Sequence, residues 1–372
     1  MSIANEITKR SILADTSYLG RYTGDCRSLQ ESGKGSLVPI LGLCMVPYIS
    51  LCVYESQKKL RLVMPNSSSQ LSTTAASIVA RSRHSLKLFE DSGRGGIRGL
   101  LSYFHDEAFP AHFAQFRGGR SLSLARIFGS DLGISYFDGK LISTTCSSTL
   151  FLGMPLEVAL RQGAEIGDLY EEYGSYLGEL GARLDAGPAS YAINLKPNAF
   201  TSRDDRVRRY YARGFNEDSN LALNASLTVF QGLLNFADRV VCHGLDPINL
   251  EYAPFKMRYV TLYHVLASLR LLRKDPSFFL SDRSKGFLDE ILSTNGARTV
   301  MSDSGRPFRN SLVHYDLDTR IRQSEIDFNE PLFGLVHACF QLHNFRSFSA
   351  LVDQCITETA ARVNAWAEHT RR

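Results

Sequence analysis

The sequence predicts two unlike halves, an α+β domain over residues 1–214 and an all-α domain over residues 215–372. Two patterns predict this division. Short runs rich in β-branched and aromatic residues, typical of strands, stop before residue 219. From there on, apolar residues recur at helical spacing in successive stretches separated by Asp, Pro, Ser or Gly. The charged segment 201–214 lies between the two patterns and is the predicted boundary.

Composition places the chain among folded globular proteins. Its 372 residues are 44% apolar and 22% charged, which is enough to bury a sizeable core. Glycine and proline occur at an average share, so collagen-like and wholly disordered chains are excluded. The first ten residues lack the apolar run of a signal peptide, and the seven scattered cysteines form no C-x-x-C pair. We therefore expect a cytoplasmic protein with reduced thiols.

Several short segments of the first half are predicted strands. They are rich in β-branched, aromatic or other apolar residues and are bounded by turn-forming residues. The pair Asp138-Gly139, between two of them, is a favourable hairpin turn. The predicted strands cover residues 37–45, 48–55, 60–64, 133–137, 141–145 and 190–195.

One apolar segment raises the alternative of a membrane helix. Residues 36–54 contain no charge and are long enough to cross a bilayer. The segment also contains Pro39, Gly42 and Pro47, and the residues after Pro47 are largely β-branched or aromatic. Two buried strands broken near Pro47 account for this pattern better, so no membrane contact is predicted.

Apolar residues at helical spacing predict the remaining elements. In the first half they predict a helix over 155–184, which internal glycines break or kink. In the second half they predict a series of amphipathic helices. These helices cover residues 219–241, 256–274, 284–295, 306–315, 331–345 and 347–368.

The segment 308–315, Phe-Arg-Asn-Ser-Leu-Val-His-Tyr, carries the strongest functional pattern. An arginine followed by asparagine, then apolar residues and a histidine, resembles the R-x(4–6)-H motif of the HEPN superfamily. Three other Arg–His pairs have similar spacing but lack the polar residue directly after arginine. The context of the motif, late in a predicted helical domain, is also similar to that of HEPN domains. The resemblance covers the second half only.

The resemblance implies a metal-independent endoribonuclease with Arg309, Asn310 and His314 as catalytic residues. In such a reaction the ribose 2′-OH attacks the adjacent phosphate. His314 would transfer a proton, Arg309 would bind phosphoryl oxygens, and Asn310 would orient groups by hydrogen bonds. One set supplies half of an acid–base pair, and in HEPN ribonucleases two copies meet across a dimer. The resemblance therefore implies a homodimer that acts on an RNA substrate as a toxin or antiviral-defence effector.

Other interpretations of the motif remain open. Arg309 could form an ordinary helix salt bridge, and His314 could be a core histidine with satisfied hydrogen bonds. A non-catalytic HEPN-like scaffold would only bind RNA or a protein. A third alternative is a CRISPR-associated ribonuclease in which a Rossmann domain senses a cyclic oligonucleotide. The polar start of the chain, which lacks a buried strand and a nucleotide-binding loop, argues against this third alternative.

A second candidate site is the basic segment before the predicted boundary. Arginines there alternate with tyrosines, a combination that binds phosphates and stacks on unpaired bases. A solvated helix between domains is an equally simple interpretation. The net charge is +5 before residue 215 and −1 after it, so attraction of a polyanion is expected from the first half. The predicted RNA-binding residues are Arg206, Arg208, Arg209, Tyr210 and Arg213.

The rest of the first half is predicted to be a sensor or regulatory region that binds a regulatory protein or a nucleotide. Its glycine-rich segment 92–99 is similar to the oxyanion loop of patatin-like hydrolases, but the chain has no G-x-S-x-G nucleophile elbow. A phosphate-binding loop is the preferred interpretation. The nine histidines form no close-set ligand cluster, so no metal and no cofactor are predicted.

Overall fold

Helices dominate the computed structural model. It describes residues 2–63, 70–87, 96–117, 131–154, 163–181, 189–215 and 220–369. About three quarters of it is helical, with one small antiparallel sheet. The coarse expectation of β structure in the first half and helices in the second is confirmed.

The first half begins with two long helices. Helix α1 starts after Ser2, whose hydroxyl caps it by accepting a hydrogen bond from the Asn5 amide. Helix α2 packs against α1 and contains Pro47 in its interior. The helices of this half are α1 Ile3–Leu29, α2 Val38–Val63, α3 Thr73–Lys87, α4 Gly96–Ser102, α5 Phe109–Arg117, α6 Thr145–Leu152, α7 Gly163–Glu179 and α8 Val207–Ala212.

The strands predicted over 37–45, 48–55 and 60–64 are wrong, because Val38–Val63 forms the single helix α2. A continuous apolar run marks burial but does not separate a buried strand from a buried helix. The β-branched residues and Pro47 favoured strands locally, yet α2 packs against both α1 and α3. This tertiary packing overrides the local preference.

The same region contains the candidate membrane span. Within Ile3–Val63 one stretch is long and apolar enough to cross a membrane, and 61% of it is buried inside the protein. A buried core helix passes the same test of length and composition, so the stretch is weak evidence for a membrane.

The sheet is built from a hairpin and one later strand. Strands β1 Leu132–Phe137 and β2 Lys140–Thr144 are joined by Asp138 and Gly139, which both have positive φ. This hairpin confirms the predicted turn and two predicted strands. The third strand, β3 Phe200–Asp205, pairs antiparallel with β1, giving the order β2-β1-β3.

Two strand assignments failed outside the hairpin. The predicted strand over 190–195 is a 3₁₀ turn, Tyr191–Asn194, capped by the Ser190 hydroxyl. Strand β3 was not predicted, because its mostly exposed, charged residues carry no apolar alternation. Within the described residues the strand pairings are antiparallel. A Rossmann domain is built on a parallel sheet, so this sheet gives no support to the cyclic-oligonucleotide alternative.

The second half is helical throughout its described elements, as predicted. The match is not one-to-one at two places. Over 331–345, Leu332 and Phe333 adopt positive φ and leave only a short helix, and the helix Asn295–Val300 was not predicted. The helices are α9 Leu221–Asn235, α10 Tyr252–Lys274, α11 Asp282–Leu292, α12 Asn295–Val300, α13 Gly305–His314, α14 Leu335–Cys339 and α15 Phe345–His369.

The apolar core is continuous from the first half into the second. Strand β2 packs directly on α9, and Gly232 permits this approach. A Cβ atom at Gly232 would lie 2.8 Å from the Ile142 carbonyl oxygen. Helices α1 and α2 also reach the second half, where Lys256 Nζ lies 2.5 Å from Asp15 Oδ2. The C-terminal end of α13, which carries the histidine of the motif, therefore packs beside first-half helices.

Candidate active site

Helix α13 carries the predicted motif and ends at its histidine. Phe308, Leu312 and Val313 are fully buried and anchor the helix in the core. The next residue, Tyr315, has φ 52° and ψ 34°, a left-handed conformation that ends the helix. His314 is thus the last helical residue, and one third of its side-chain surface (33%) is exposed.

A buried carboxylate holds the His314 ring. Glu55 on α2 is 3% exposed, and its Oε2 lies 3.1 Å from His314 Nδ1. A carboxylate at this nitrogen favours the tautomer with the proton on Nδ1, which leaves Nε2 as the basic nitrogen. The same carboxylate stabilises the imidazolium that forms when Nε2 takes up a proton. This arrangement is that of a general base and the residue that orients it.

Glu55 is itself fixed from the opposite side. Its Oε1 accepts a hydrogen bond from Arg83 Nη1 on α3. The guanidinium carbon of Arg83 lies 3.6 Å from the centre of the Tyr54 ring, so the cation is stacked as well as paired. Burial lowers the pKa of Arg83 below its ordinary value. The result is a chain of contacts from α3 through α2 to the end of α13.

A second ion pair flanks His314. Lys59 Nζ lies 2.5 Å from Asp316 Oδ2, two residues beyond the histidine. Glu55 and Lys59 are four residues apart, so both project from one face of α2 toward the end of α13. Sequence reasoning missed both residues, because Glu55 was placed at the end of one predicted strand and Lys59 between that strand and the next, where a four-residue spacing has no meaning. Their i,i+4 spacing would have been the signal.

Tyr315 ties the end of α13 to two more helices. Its hydroxyl donates to Asp15 Oδ2 at 2.5 Å, and its carbonyl accepts from Thr8 Oγ1 at 2.5 Å. Asp15 also pairs with Lys256. A tyrosine in the left-handed region is strained by about 1–3 kcal/mol, so it persists only where its surroundings fix it. These contacts hold the backbone directly after His314.

Arg309 lies in a different environment. It is 5% exposed, and its guanidinium carbon lies 5.4 Å from the centre of the Tyr263 ring on α10. Burial lowers the pKa of Arg309 to about 9. Binding phosphate oxygens requires an exposed guanidinium, and in the single chain this one is buried. Arg309 and His314 therefore contact different elements, α10 and α2.

Asn310 also points away from the role predicted for it. Its Nδ2 donates to Asp318 Oδ2 at 2.8 Å, and Asp318 also accepts two hydrogen bonds from the Arg320 guanidinium and one from the Arg320 backbone amide. The Arg320 guanidinium and Asn310 hold the pKa of the Asp318 carboxyl well below its usual range. Asn310 thus orders the loop after α13.

The basic segment extends from β3 into α8. Arg206, Arg208, Arg209 and Arg213 are exposed, as an RNA-binding role requires. Tyr210 is 2% exposed, and its ring packs edge-on against Tyr211, with the ring centres 5.3 Å apart. The prediction that Tyr210 stacks on bases is therefore corrected: α8 is amphipathic, and its tyrosines face the core.

Three candidate features remain: a metal site, the cysteines and the glycine-rich segment. In the described part of the chain, no group of three or more His, Cys, Asp or Glu side chains could hold a metal ion. The cysteines are unpaired. Residues 92–95 of the glycine-rich segment lie outside the described residues, and Gly96 begins α4.

No family model, curated protein or solved structure matches this chain. Function must therefore be inferred from the side chains. Of the three predicted catalytic residues, the fold exposes His314 and supports it with Glu55, whereas Arg309 is buried and Asn310 binds Asp318.

Proposed function

We propose that the chain is a metal-independent endoribonuclease centred on His314. The observation that carries this proposal is the imidazole of His314, which is one third exposed and whose Nδ1 contacts buried Glu55. A histidine that served only packing would not need a buried carboxylate, because burying that charge is costly. The resemblance of 308–315 to the HEPN motif supplies the reaction class.

In the proposed reaction His314 Nε2 accepts the proton of a ribose 2′-OH. The 2′-oxygen then attacks the adjacent phosphorus, the bond from phosphorus to the 5′-oxygen breaks, and a 2′,3′-cyclic phosphate forms. Glu55 stabilises the imidazolium, and Lys59, which pairs with Asp316 two residues beyond His314, offsets charge on the phosphoryl oxygens. Arg309 has a structural role, because it packs against α10 and holds α13 in place.

The leaving 5′-oxygen needs a proton from a second acid. One chain offers one supported histidine in this motif, so we propose that a second copy supplies the acid across a homodimer. Mixing an inactive His314→Ala chain with wild-type chain tests this. A composite site predicts that activity falls as mixed dimers form, whereas independent sites predict only dilution of the active chain.

The deciding assay is cleavage of labelled RNA with and without EDTA. We expect cleavage in both conditions and a 2′,3′-cyclic phosphate end on the product. A product with a 5′-phosphate, or activity that EDTA abolishes, would contradict the mechanism.

A non-catalytic HEPN-like scaffold that binds RNA or protein is the second candidate. The burial of Arg309 favours it, because the motif arginine then has no access to phosphate. RNA binding without cleavage, unchanged by His314→Ala, would select the scaffold.

The family resemblance further suggests a toxin or antiviral-defence effector in the cytoplasm. A regulatory protein or nucleotide would then control activity through the first half. Growth arrest on expression of the wild-type chain, but not of the His314→Ala chain, tests this role.

A further inference from the structure

Arg83 belongs to a helix that has no place in the predicted motif, yet its side chain reaches toward the candidate site. It is 5% exposed and lies between the Tyr54 ring and the Glu55 carboxylate. A fully exposed arginine would keep its hydration, so this position has an energetic cost that needs a compensating partner. The anionic Glu55 is that partner.

We propose that Arg83 is a positioning residue of the candidate site, which acts through Glu55 to hold His314 in the state that accepts a proton. This inference rests on the proposed function for the use of that proton. It assigns α3 a part in the chemistry, whereas the sequence pattern placed all of it in the second half.

The charges around His314 form a connected set. Glu55 contacts His314 directly and Arg83 contacts Glu55. Lys59 and Asp316 form their own pair, and Lys58 Nζ lies 4.2 Å from the centre of the Tyr54 ring. With Arg83 present, one buried anion is balanced by one buried cation, so His314 can remain neutral.

Without the guanidinium, Glu55 would be a buried anion whose nearest charge partner is the imidazole. The Glu55–His314 pair would then bind a proton more tightly, whichever of the two groups carries it. His314 would be less available as a base at neutral pH. Removal of the Glu55 charge has the opposite effect, because the imidazolium loses its stabilising anion.

The test is an NMR titration of His314 in the full-length chain, with its ring signal assigned by its loss in His314→Ala. Arg83→Met is expected to raise the titration midpoint by about one pH unit, and Glu55→Gln to lower it by a similar amount. Arg81→Met, an exposed arginine on the same helix, removes the same charge without touching Glu55 and should leave the midpoint unchanged.

A folded Arg83→Met protein whose His314 titrates as in the wild type would overturn the proposal. If that variant does not fold, the double variant Arg83→Met/Glu55→Gln carries the test, because it leaves no unpaired buried charge. Arg83 acts through Glu55, so the double variant should titrate like Glu55→Gln alone. A difference of more than about half a pH unit between the His314 midpoints of the double variant and of Glu55→Gln would also overturn the proposal.

RNA cleavage measured on the same samples separates this inference from the proposed function. Opposite shifts in Arg83→Met and Glu55→Gln without any RNA cleavage would support the positioning role and reject the ribonuclease. If RNA cleavage depends on His314 but Arg83→Met leaves the His314 titration midpoint unchanged, the positioning role is rejected and the ribonuclease proposal stands.

Discussion

The middle and the C-terminal end of α13 differ more than their closeness in sequence suggests. Arg309 lies in the middle of the helix, buried against Tyr263 of α10, and its environment belongs to the second half. His314 lies at its end, exposed on one side and held by Glu55 from the first half. The residues are five apart, which turns them about 140° from each other around the helix.

This difference shows what a sequence motif leaves undetermined. Spacing fixes the angle between two side chains on a helix, but the packing of other helices decides which of them faces solvent. Here α10 covers the arginine, while α2 and α3 leave the histidine accessible and support it. The first half was predicted to be a sensor or regulatory region; in the proposed function it also supports the catalytic histidine through Glu55.

The largest expected effect is that of His314→Ala. Loss of a positioned proton-transfer group should lower kcat by at least about a hundredfold. His337→Ala, at an exposed histidine on α14, is the matched control and should retain full activity. Circular dichroism checks that both variants fold. Full activity in His314→Ala would remove the end of α13 from the chemistry.

Two single variants, each of which removes one cation, separate the surroundings of His314 from those of Arg309. We expect Lys59→Met to lower kcat/KM about tenfold, since one charge-assisted contact to phosphate is worth roughly that much. Arg309→Met should change it less than about threefold, because the buried guanidinium does not reach substrate. If Arg309→Met is instead as damaging as His314→Ala in a folded protein, Arg309 must become exposed in the active assembly.

The basic segment is expected to affect RNA binding and not the cleavage step at α13. Changing Arg206, Arg208, Arg209 and Arg213 together to glutamine should weaken RNA binding about tenfold and flatten its salt dependence, because fewer counterions are released. The cleavage rate at saturating RNA should be preserved. Four exposed arginines elsewhere, Arg283, Arg298, Arg322 and Arg346, provide a control with equal charge loss. Equal weakening in both variants would mean that only net charge matters.

The smallest expected effect concerns the loop that binds Asn310. Arg320 and Asn310 lower the pKa of Asp318, so its carboxylate stabilises the fold above the unfolded pKa of about 4, and this stabilisation is lost as pH falls through the lower, folded value. Asp318→Asn should lower Tm by about 2 °C at pH 7. The difference in Tm between this variant and the wild type should become smaller as the pH is lowered. A difference that does not change with pH would show that the charge of Asp318 is not its cause.

The local elements of secondary structure could be predicted from the sequence alone. Helical spacing predicted α9, α10 and α13, and the Asp138-Gly139 pair predicted the hairpin, because these signals arise within a few neighbouring residues. The sequence also singled out His314 within the segment 308–315. Each of these conclusions depends only on interactions along a short piece of chain.

The remaining features of the fold and of the candidate site depend on tertiary contacts. It made a helix of Val38–Val63, where uniform burial hides the periodicity that would distinguish helix from strand. Only that helix brings Glu55 and Lys59 to the end of α13, more than 250 residues later in the chain. Exposure of His314 and burial of Arg309 likewise depend on which distant helices pack on each side. Such contacts join residues far apart in sequence, and no local pattern encodes them.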